Sequence, residues 1–254
     1  MKKLTILGVV ALCSFQVLAG NELKFDRTLE LSADRLSAVE LDVGSGSLAV
    51  TGTSGNEIKV YATIESDDYS DMADLQDAFA DKMAFSLKRD SGYALLTAKS
   101  NKSMNWNNSK NIAIHLEVEI PRHMDLVIDD GSGSMTISDI DGTVKIDDGS
   151  GSIAINNIGN DVEVDDGSGS LKISDVNGDV EVDDGSGSVT LKNIAGTVEI
   201  EDGSGSIDAN GVAGDFTVDD GSGDVVVKNL EGEFKLVDDG SGSIKVNGQR
   251  WSKR

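Results

Sequence analysis

From Met135 onward the chain alternates apolar and polar residues in short bursts, and the bursts recur. Met135 and Ile137 alternate with polar neighbours, so they mark one side of a strand. Ile140 follows after three residues instead of two, which breaks the alternation and signals a corner. Gly142 marks a turn, and Val144 and Ile146 then alternate again. The same set returns as Ile153, Ile155, Ile158, Val162 and Val164, then as Leu171, Ile173, Val176, Val180 and Val182. A further set is Val189, Leu191, Ile194, Val198 and Ile200. β-Branched residues dominate these positions, as strands favour.

A motif runs in phase with the apolar positions. Asp-Asp-Gly-Ser-Gly begins at Asp129, Asp147, Asp165, Asp183, Asp219 and Asp238, with Glu201-Asp202 standing in for one pair. Its first glycines are Gly131, Gly149, Gly167, Gly185, Gly203, Gly221 and Gly240, so five steps are 18 residues and the last is 19. The extra residue falls near Val237 and predicts a local bulge. A fixed period of this length is the signature of a solenoid, in which each repeat buries its apolar side only by stacking on its neighbours. The fold expected is all-β: a parallel β-solenoid of 18-residue rungs over 129–247. Parallel crossovers favour the right hand. The apolar spacing of 2, 3, 4 and 2 also does not divide into the equal six-residue steps of left-handed coils. A right-handed coil is therefore expected. In one rung the small Ala209 accompanies the bulky Phe216, as though one fills the space the other leaves.

Residues 20–128 are less regular, and predict a β-rich region that caps the solenoid. Asp42-Val43-Gly44-Ser45-Gly46-Ser47, with Leu48 and Val50 behind it, reads as a worn copy of the rung motif. Ile58, Val60 and Ala62 are expected to form its second strand. Met72, Leu75, Phe79 and Met83 share one helical face and predict a helix over about 70–83, with Ser70 as N-cap and Asp71 and Asp74 in the first turn. Phe85 to Lys99 predicts a hairpin about Asp90-Ser91-Gly92. Ser100 to Lys110 reads as a polar loop, and Ile112 to Ile120 as a strand ending at Pro121. A short basic tail, 248–254, holds Arg250, Trp251, Lys253 and Arg254.

The first 19 residues read as a cleaved signal peptide. Lys2 and Lys3 precede an apolar run from Leu4 to Leu12, and Val17 and Ala19 suit a signal-peptidase site before Gly20. That run is shorter than the roughly 20 residues a membrane-spanning helix needs. No later segment predicts such a helix. Cys13 is the only cysteine and follows the bulky Leu12, so it is expected to fill the apolar run rather than carry a lipid. Cleavage after Ala19 leaves no cysteine and hence no disulfide. An exported protein follows, placed in the periplasm, on the outer-membrane surface or outside the cell.

The net charge is −23, and losing Lys2 and Lys3 takes it to −25. Such a chain repels nucleic acid and anionic lipid and attracts cations or basic surfaces. The rungs carry most of this charge, with 27 acidic and 6 basic residues between Asp129 and Asn247. Stacked carboxylates about 4.8 Å apart repel by roughly 0.9 kcal/mol in water and about 3.5 kcal/mol at an effective dielectric of 20. Calcium would offset this, since it accepts several carboxylate oxygens in loose geometry. The candidate ligands are Asp129, Asp130, Asp147, Asp148, Asp165, Asp166, Asp183, Asp184, Glu201, Asp202, Asp219, Asp220, Asp238 and Asp239. The competing reading is local: each Asp caps its own Gly-Ser-Gly turn or points into water.

Nothing in the linear sequence predicts an enzyme. His115 and His123 have no neighbouring nucleophile and orienting acid, and His115 is out of phase with Ile114 and Leu116, so it is expected to face solvent. Carboxylate pairs serve acid–base catalysis where one pair is unlike the rest, whereas here near-copies form an array. Gly-Ser-Gly lacks the lysine and helix start of a phosphate loop.

Gly-Ser-Gly-Ser-Leu-Ala-Val at 44–50, Glu-Ile-Pro-Arg-His-Met-Asp-Leu at 119–126 and the rungs that follow resemble the family called putative bacterial adhesins with β-strand repeats. The likeness runs from about 36 to 247 and implies an exported β-solenoid with no catalytic residues to carry over. The function expected is therefore a non-enzymatic structural or interaction protein that presents a repetitive acidic face to a cell-surface protein or polysaccharide. The alternative is a calcium-binding solenoid whose Asp columns need the cation to fold or stiffen.

Overall fold

The computed structural model describes residues 22–101 and 110–251. The expected signal peptide with Cys13, most of the polar loop, and Lys253 and Arg254 lie outside these residues.

The irregular half contributes β1 (Leu23–Ser32), β2 (Ala38–Val43), β3 (Leu48–Thr53), β4 (Glu57–Ser66), α1 (Met72–Lys82), β5 (Met83–Asp90), β6 (Tyr93–Ser100) and β7 (Ala113–Pro121). The rungs then alternate a short and a long strand. They begin with β8 (Asp125–Asp130), β9 (Gly133–Ile140), β10 (Val144–Asp148), β11 (Gly151–Ile158), β12 (Val162–Asp166) and β13 (Gly169–Val176). They continue with β14 (Val180–Asp184), β15 (Gly187–Ile194), β16 (Val198–Asp202), β17 (Gly205–Val212), β18 (Phe216–Asp220) and β19 (Val225–Leu230). β20 (Phe234–Asp239), β21 (Ile244–Val246) and β22 (Gln249–Arg250) close the chain.

The short strands from β8 to β20 stack into one sheet and the long strands from β9 to β21 into the other, all parallel, so the solenoid is a flattened coil of two facing sheets. Register is strict: Ile153 stands beside Met135 and Leu171, and Val162 beside Val144 and Val180. These residues are buried between the sheets. The three-residue step seen in the sequence is a bend within the long strand. Asn157 has φ 58°, and this left-handed twist lets Ile155 and Ile158 both face inward. The 19-residue step is a bulge, with Val218 beside Leu236 but Asp220 beside Asp239.

Gly-Ser-Gly is explained by close approach. Gly187 has φ 152°, and a Cβ there would stand on the carbonyl oxygen of Gly169 in the rung before, well inside van der Waals contact. The same geometry recurs from Gly133 to Gly242, so the rungs can touch only where no side chain intervenes.

The first half extends this stack by an interleaved path. The worn copy is a true rung: β2 pairs with β8 and β3 with β9, with Asp42 beside Asp129 and Leu48 beside Met135. On its other side β2 pairs with β6 and β3 with β7, so the β2–β3 rung lies between β6–β7 and β8–β9. Ile58, Val60 and Ala62 are not its second strand, which corrects the expectation. They lie on β4, which runs antiparallel between β1 and β7, and face the core. Three consecutive inward residues at spacing two fit any inner strand, and the sequence alone did not say which neighbour it joins.

The N-cap of α1 is Asp71, not Ser70, because the Asp71 carboxylate accepts the N–H groups of Ala73 (2.8 Å) and Asp74 (3.3 Å). Met83 ends the helix and begins β5. Leu75, Ala78 and Phe79 are buried. Phe79 meets Phe25 of β1 edge-on at 5.4 Å and Phe85 of β5 at 5.8 Å. β1 and β5 are the last strands of the two sheets, so the helix packs where the core would otherwise open. Ser91 and Gly92 both have positive φ, as a two-residue hairpin turn requires. At the far end β22 folds back on β21, and Trp251 packs against Phe234 at 5.5 Å.

Candidate functional site: two acidic columns and a polar groove

The two members of each Asp-Asp pair occupy successive strand positions, so they point to opposite faces. Asp129, Asp147, Asp165, Asp183 and Glu201 are exposed on the outer face of the short-strand sheet, as is Asp238, and Asp219 is half-buried in the same row. Asp130, Asp148, Asp166, Asp184, Asp202 and Asp220 point inward and are at most 5% exposed. The apolar alternation already held this signal. Val144 and Ile146 face inward, and the same phase carries on to Asp148.

The inner carboxylates from Asp130 to Asp202 each cap their own turn. The N–H groups of Ser150, Ser168, Ser186 and Ser204 donate to Oδ1 of Asp148, Asp166, Asp184 and Asp202 at 3.2, 3.0, 3.0 and 2.9 Å. Asp130 receives Ser132 in the same way. Oδ2 of Asp148, Asp166, Asp184 and Asp202 is buried and meets no hydrogen-bond donor. Burial, and then the charge of neighbouring aspartates, pushes Asp148 and Asp202 up to about 6. Burial also raises Asp130, Asp166 and Asp184 above the ordinary carboxylate range. From Asp130 to Asp202 the inner column is thus a line of turn caps that ionise reluctantly.

The outer column is the acidic surface. It begins at Asp42, which is ion-paired with Lys99, and runs on through Asp129 and Asp147 in register. The next outward row on the same strands holds Lys145, Glu163, Glu181 and Glu199, with Lys145 bound to Glu163. The long-strand sheet presents Ser152, Ser170 and Ser188 in one row and Lys172 and Lys192 in others. Within the rungs most outward acidic residues therefore gather on one face, with Lys145 among them, and most hydroxyls and lysines on the other, with Asp208 among them. Among the described residues no three carboxylates, imidazoles or thiols converge as a metal cage.

A third column was not read from the sequence. Asp139, Asn157, Asp175, Asn193, Gly211, Asn229 and Asn247 all sit at the left-handed bend of the long strand, with φ between 49° and 81°. Asn and Asp tolerate this region better than other residues with side chains. Their alternation also pairs them, since Asn157 Nδ2 donates to Asp139 Oδ1 (2.6 Å) and Asn193 Nδ2 to Asp175 Oδ1 (2.8 Å). The recurrence of Asn or Asp in phase with the glycines was the available signal.

His115 faces outward, out of phase with the buried Ile114 and Leu116 as expected, but it is held by neighbours rather than free in water. Ser47 donates to its Nδ1 from the main-chain N–H (3.1 Å) and approaches it with the hydroxyl (2.9 Å), while Glu65 Oε1 lies 2.9 Å from Nε2. Lys24 holds Glu65 at 2.7 Å. Burial raises Glu65, but its bonds to Lys24 and His115 outweigh that and leave it below its ordinary value. Hydroxyl, imidazole and carboxylate stand in the order of a hydrolytic triad, yet one nitrogen serves both Ser47 donors. That arrangement clamps the ring and leaves no lone pair reserved for the hydroxyl proton. These partners are far apart in sequence, which hid them. His115 and Ser47 edge a hollow of about 430 Å³ on the outer face of β1, β4 and β7. His123, by contrast, is exposed between β7 and β8.

With stacked rungs, glycine contacts and a helical cap in view, the comparison by sequence pattern is decisive. The pattern of Toastrack DUF4097 matches residues 63–250. The chain belongs to the Toastrack family. No curated protein shows significant sequence similarity to it. Among solved structures, this Toastrack chain is similar to one from Parabacteroides distasonis named a putative lipid binding protein, at 15% identity, TM-score 0.47, covering 88% of this chain and 95% of that one. It is similar to a putative adhesin from Bacteroides fragilis at 12% identity, TM-score 0.37, covering 85% and 96%. A putative cell adhesion protein from Clostridium sporogenes matches at 12% identity, TM-score 0.31, covering 87% and 98%. Among the described residues no helix is long and apolar enough to cross a membrane.

Proposed function

We propose that this protein is an exported, non-enzymatic interaction module, adhesin-like, whose rigid solenoid presents one acidic face to a basic partner surface. The observation that supports this most is the in-register outer column. Parallel stacking places Asp147, Asp165, Asp183, Glu201 and Asp219 in a single row at the strand spacing of about 4.8 Å. Each charge is solvated and weak alone, and a row of them acts by summed contacts. The test uses the mature chain with Asp147→Asn, Asp165→Asn, Asp183→Asn and Asp219→Asn together. Its binding to polylysine and to whole cells is measured against ionic strength. The outer variant loses at least about tenfold of the binding and most of its salt dependence. Equal binding by the variant excludes the acidic face.

Calcium is the second reading, favoured by the same row. A cation would bridge two successive outer carboxylates and fill its shell with water, since the inner carboxylates lie on the other face. Thermal unfolding with calcium and with chelator, at matched ionic strength, separates the two. A calcium-specific rise in midpoint that the outer variant abolishes supports a metal site, and an unchanged midpoint removes it.

A further inference from the structure

The rungs repeat, and the hollow on the outer face of β1, β4 and β7 does not. Two rows of side chains cross it. Asp26, Thr63 and His115 are successive neighbours in one row, and Thr28, Tyr61 and Glu117 in the next. Tyr61 is 41% exposed, the one exposed aromatic side chain among the described residues. The polar groups beside it are already oriented: Thr63 Oγ1 donates to Asp26 Oδ1 (3.2 Å), and Ser47 and Glu65 clamp His115 from both sides. Arg27 lines the rim.

We propose that this hollow binds a neutral sugar ring of a surface glycan, with Tyr61 as the stacking platform. A sugar ring has an apolar C–H face and a rim of hydroxyls. An exposed aromatic ring offers the first a dry surface. Carboxylates and hydroxyls such as Asp26, Glu117 and Thr28 accept and donate along the second. Groups fixed by their neighbours lose little freedom on binding. The volume, about 430 Å³, lies in the range of small-molecule sites. The carboxylates of Asp26 and Glu117 disfavour an acidic sugar, while the Arg27 guanidinium packs over the buried Phe25 ring, so a neutral ring is the fit. A basic partner meets denser acid on the other sheet. The proposal rests on the interaction reading above and assigns it a ligand at one end of the molecule.

The test is saturation-transfer NMR on the mature chain with the methyl glycosides of glucose, galactose, mannose and N-acetylglucosamine as probes. Saturation is expected to pass to the ring protons of at least one probe. Tyr61→Ala and Asp26→Asn each lower its affinity at least tenfold, while Tyr61→Phe retains it. The outer-column variant binds it unchanged. Circular dichroism checks that Tyr61→Ala is folded, and Asp26→Asn and Tyr61→Phe keep the test intact if it is not. No transfer from any probe, or binding indifferent to Asp26→Asn and Tyr61→Ala, overturns the site. If cells are still bound through the acidic face, only the sugar site falls. If neither cells, polylysine nor sugars are bound, both readings fall.

Discussion

At the scale of the residue, the inner aspartates set an unusual pH dependence. A group whose folded pKa is raised binds more protons in the folded than in the unfolded state, so folding weakens as pH rises through that interval. For Asp148 and Asp202 the interval runs from the ordinary value of 3.8 to about 6. Each is worth about 2–3 kcal/mol of stability, present at pH 4 and lost by pH 7. The melting midpoint of the protein should therefore rise by roughly 5–10 °C from pH 8 to pH 5. A midpoint that falls over that range would show that these carboxylates do not govern stability. Asp184 separates charge from cap. Asp184→Asn keeps an acceptor for Ser186 and should stabilise by about 1 kcal/mol at pH 8 but not at pH 4. Asp184→Ala removes the acceptor and should cost about 1–3 kcal/mol at either pH, read by denaturant unfolding. The pairs themselves were plain in the sequence. Their division between two faces was also there, in the phase of Val144 and Ile146, but the repetition of Asp-Asp drew attention to the pair as a unit.

At the scale of the element, a rung is defined by where side chains are forbidden as much as by where they pack. Gly187→Ala puts a methyl group on the Gly169 carbonyl and should cost more than about 3 kcal/mol, or prevent folding. Gly92→Ala lies at an open hairpin turn with nothing near its Cβ, so it meets backbone strain alone and should cost less in the same melts. Phe216 is fully buried and stacked on half-buried Phe234 at 6.0 Å. Phe216→Val should cost about 2–4 kcal/mol and Phe234→Val distinctly less, compared by urea denaturation. Period, register and bulge were all legible, because each depends on spacing along the chain. The role of β4 was not, because an antiparallel neighbour leaves no mark on the spacing of Ile58, Val60 and Ala62. The partners of His115 escaped for the same reason: Ser47 and Glu65 reach it across strands.

At the scale of the whole molecule, the path through the first half has a mechanical consequence. The β2–β3 rung is held on both sides by rungs made later in the chain. At the other end the last rung rests on one neighbour and is covered only by the short β22 return. Tension applied between the chain ends should peel the solenoid from its C-terminal end. Each 18-residue rung would release at most about 60 Å of slack, giving evenly spaced steps in an optical trap. The interlocked rungs should yield last and together, since drawing out β2–β3 shears two ladders in each sheet at once. A protein anchored at its N-terminal end and pulled by a bound surface would then pay out line in measured lengths while its anchor held.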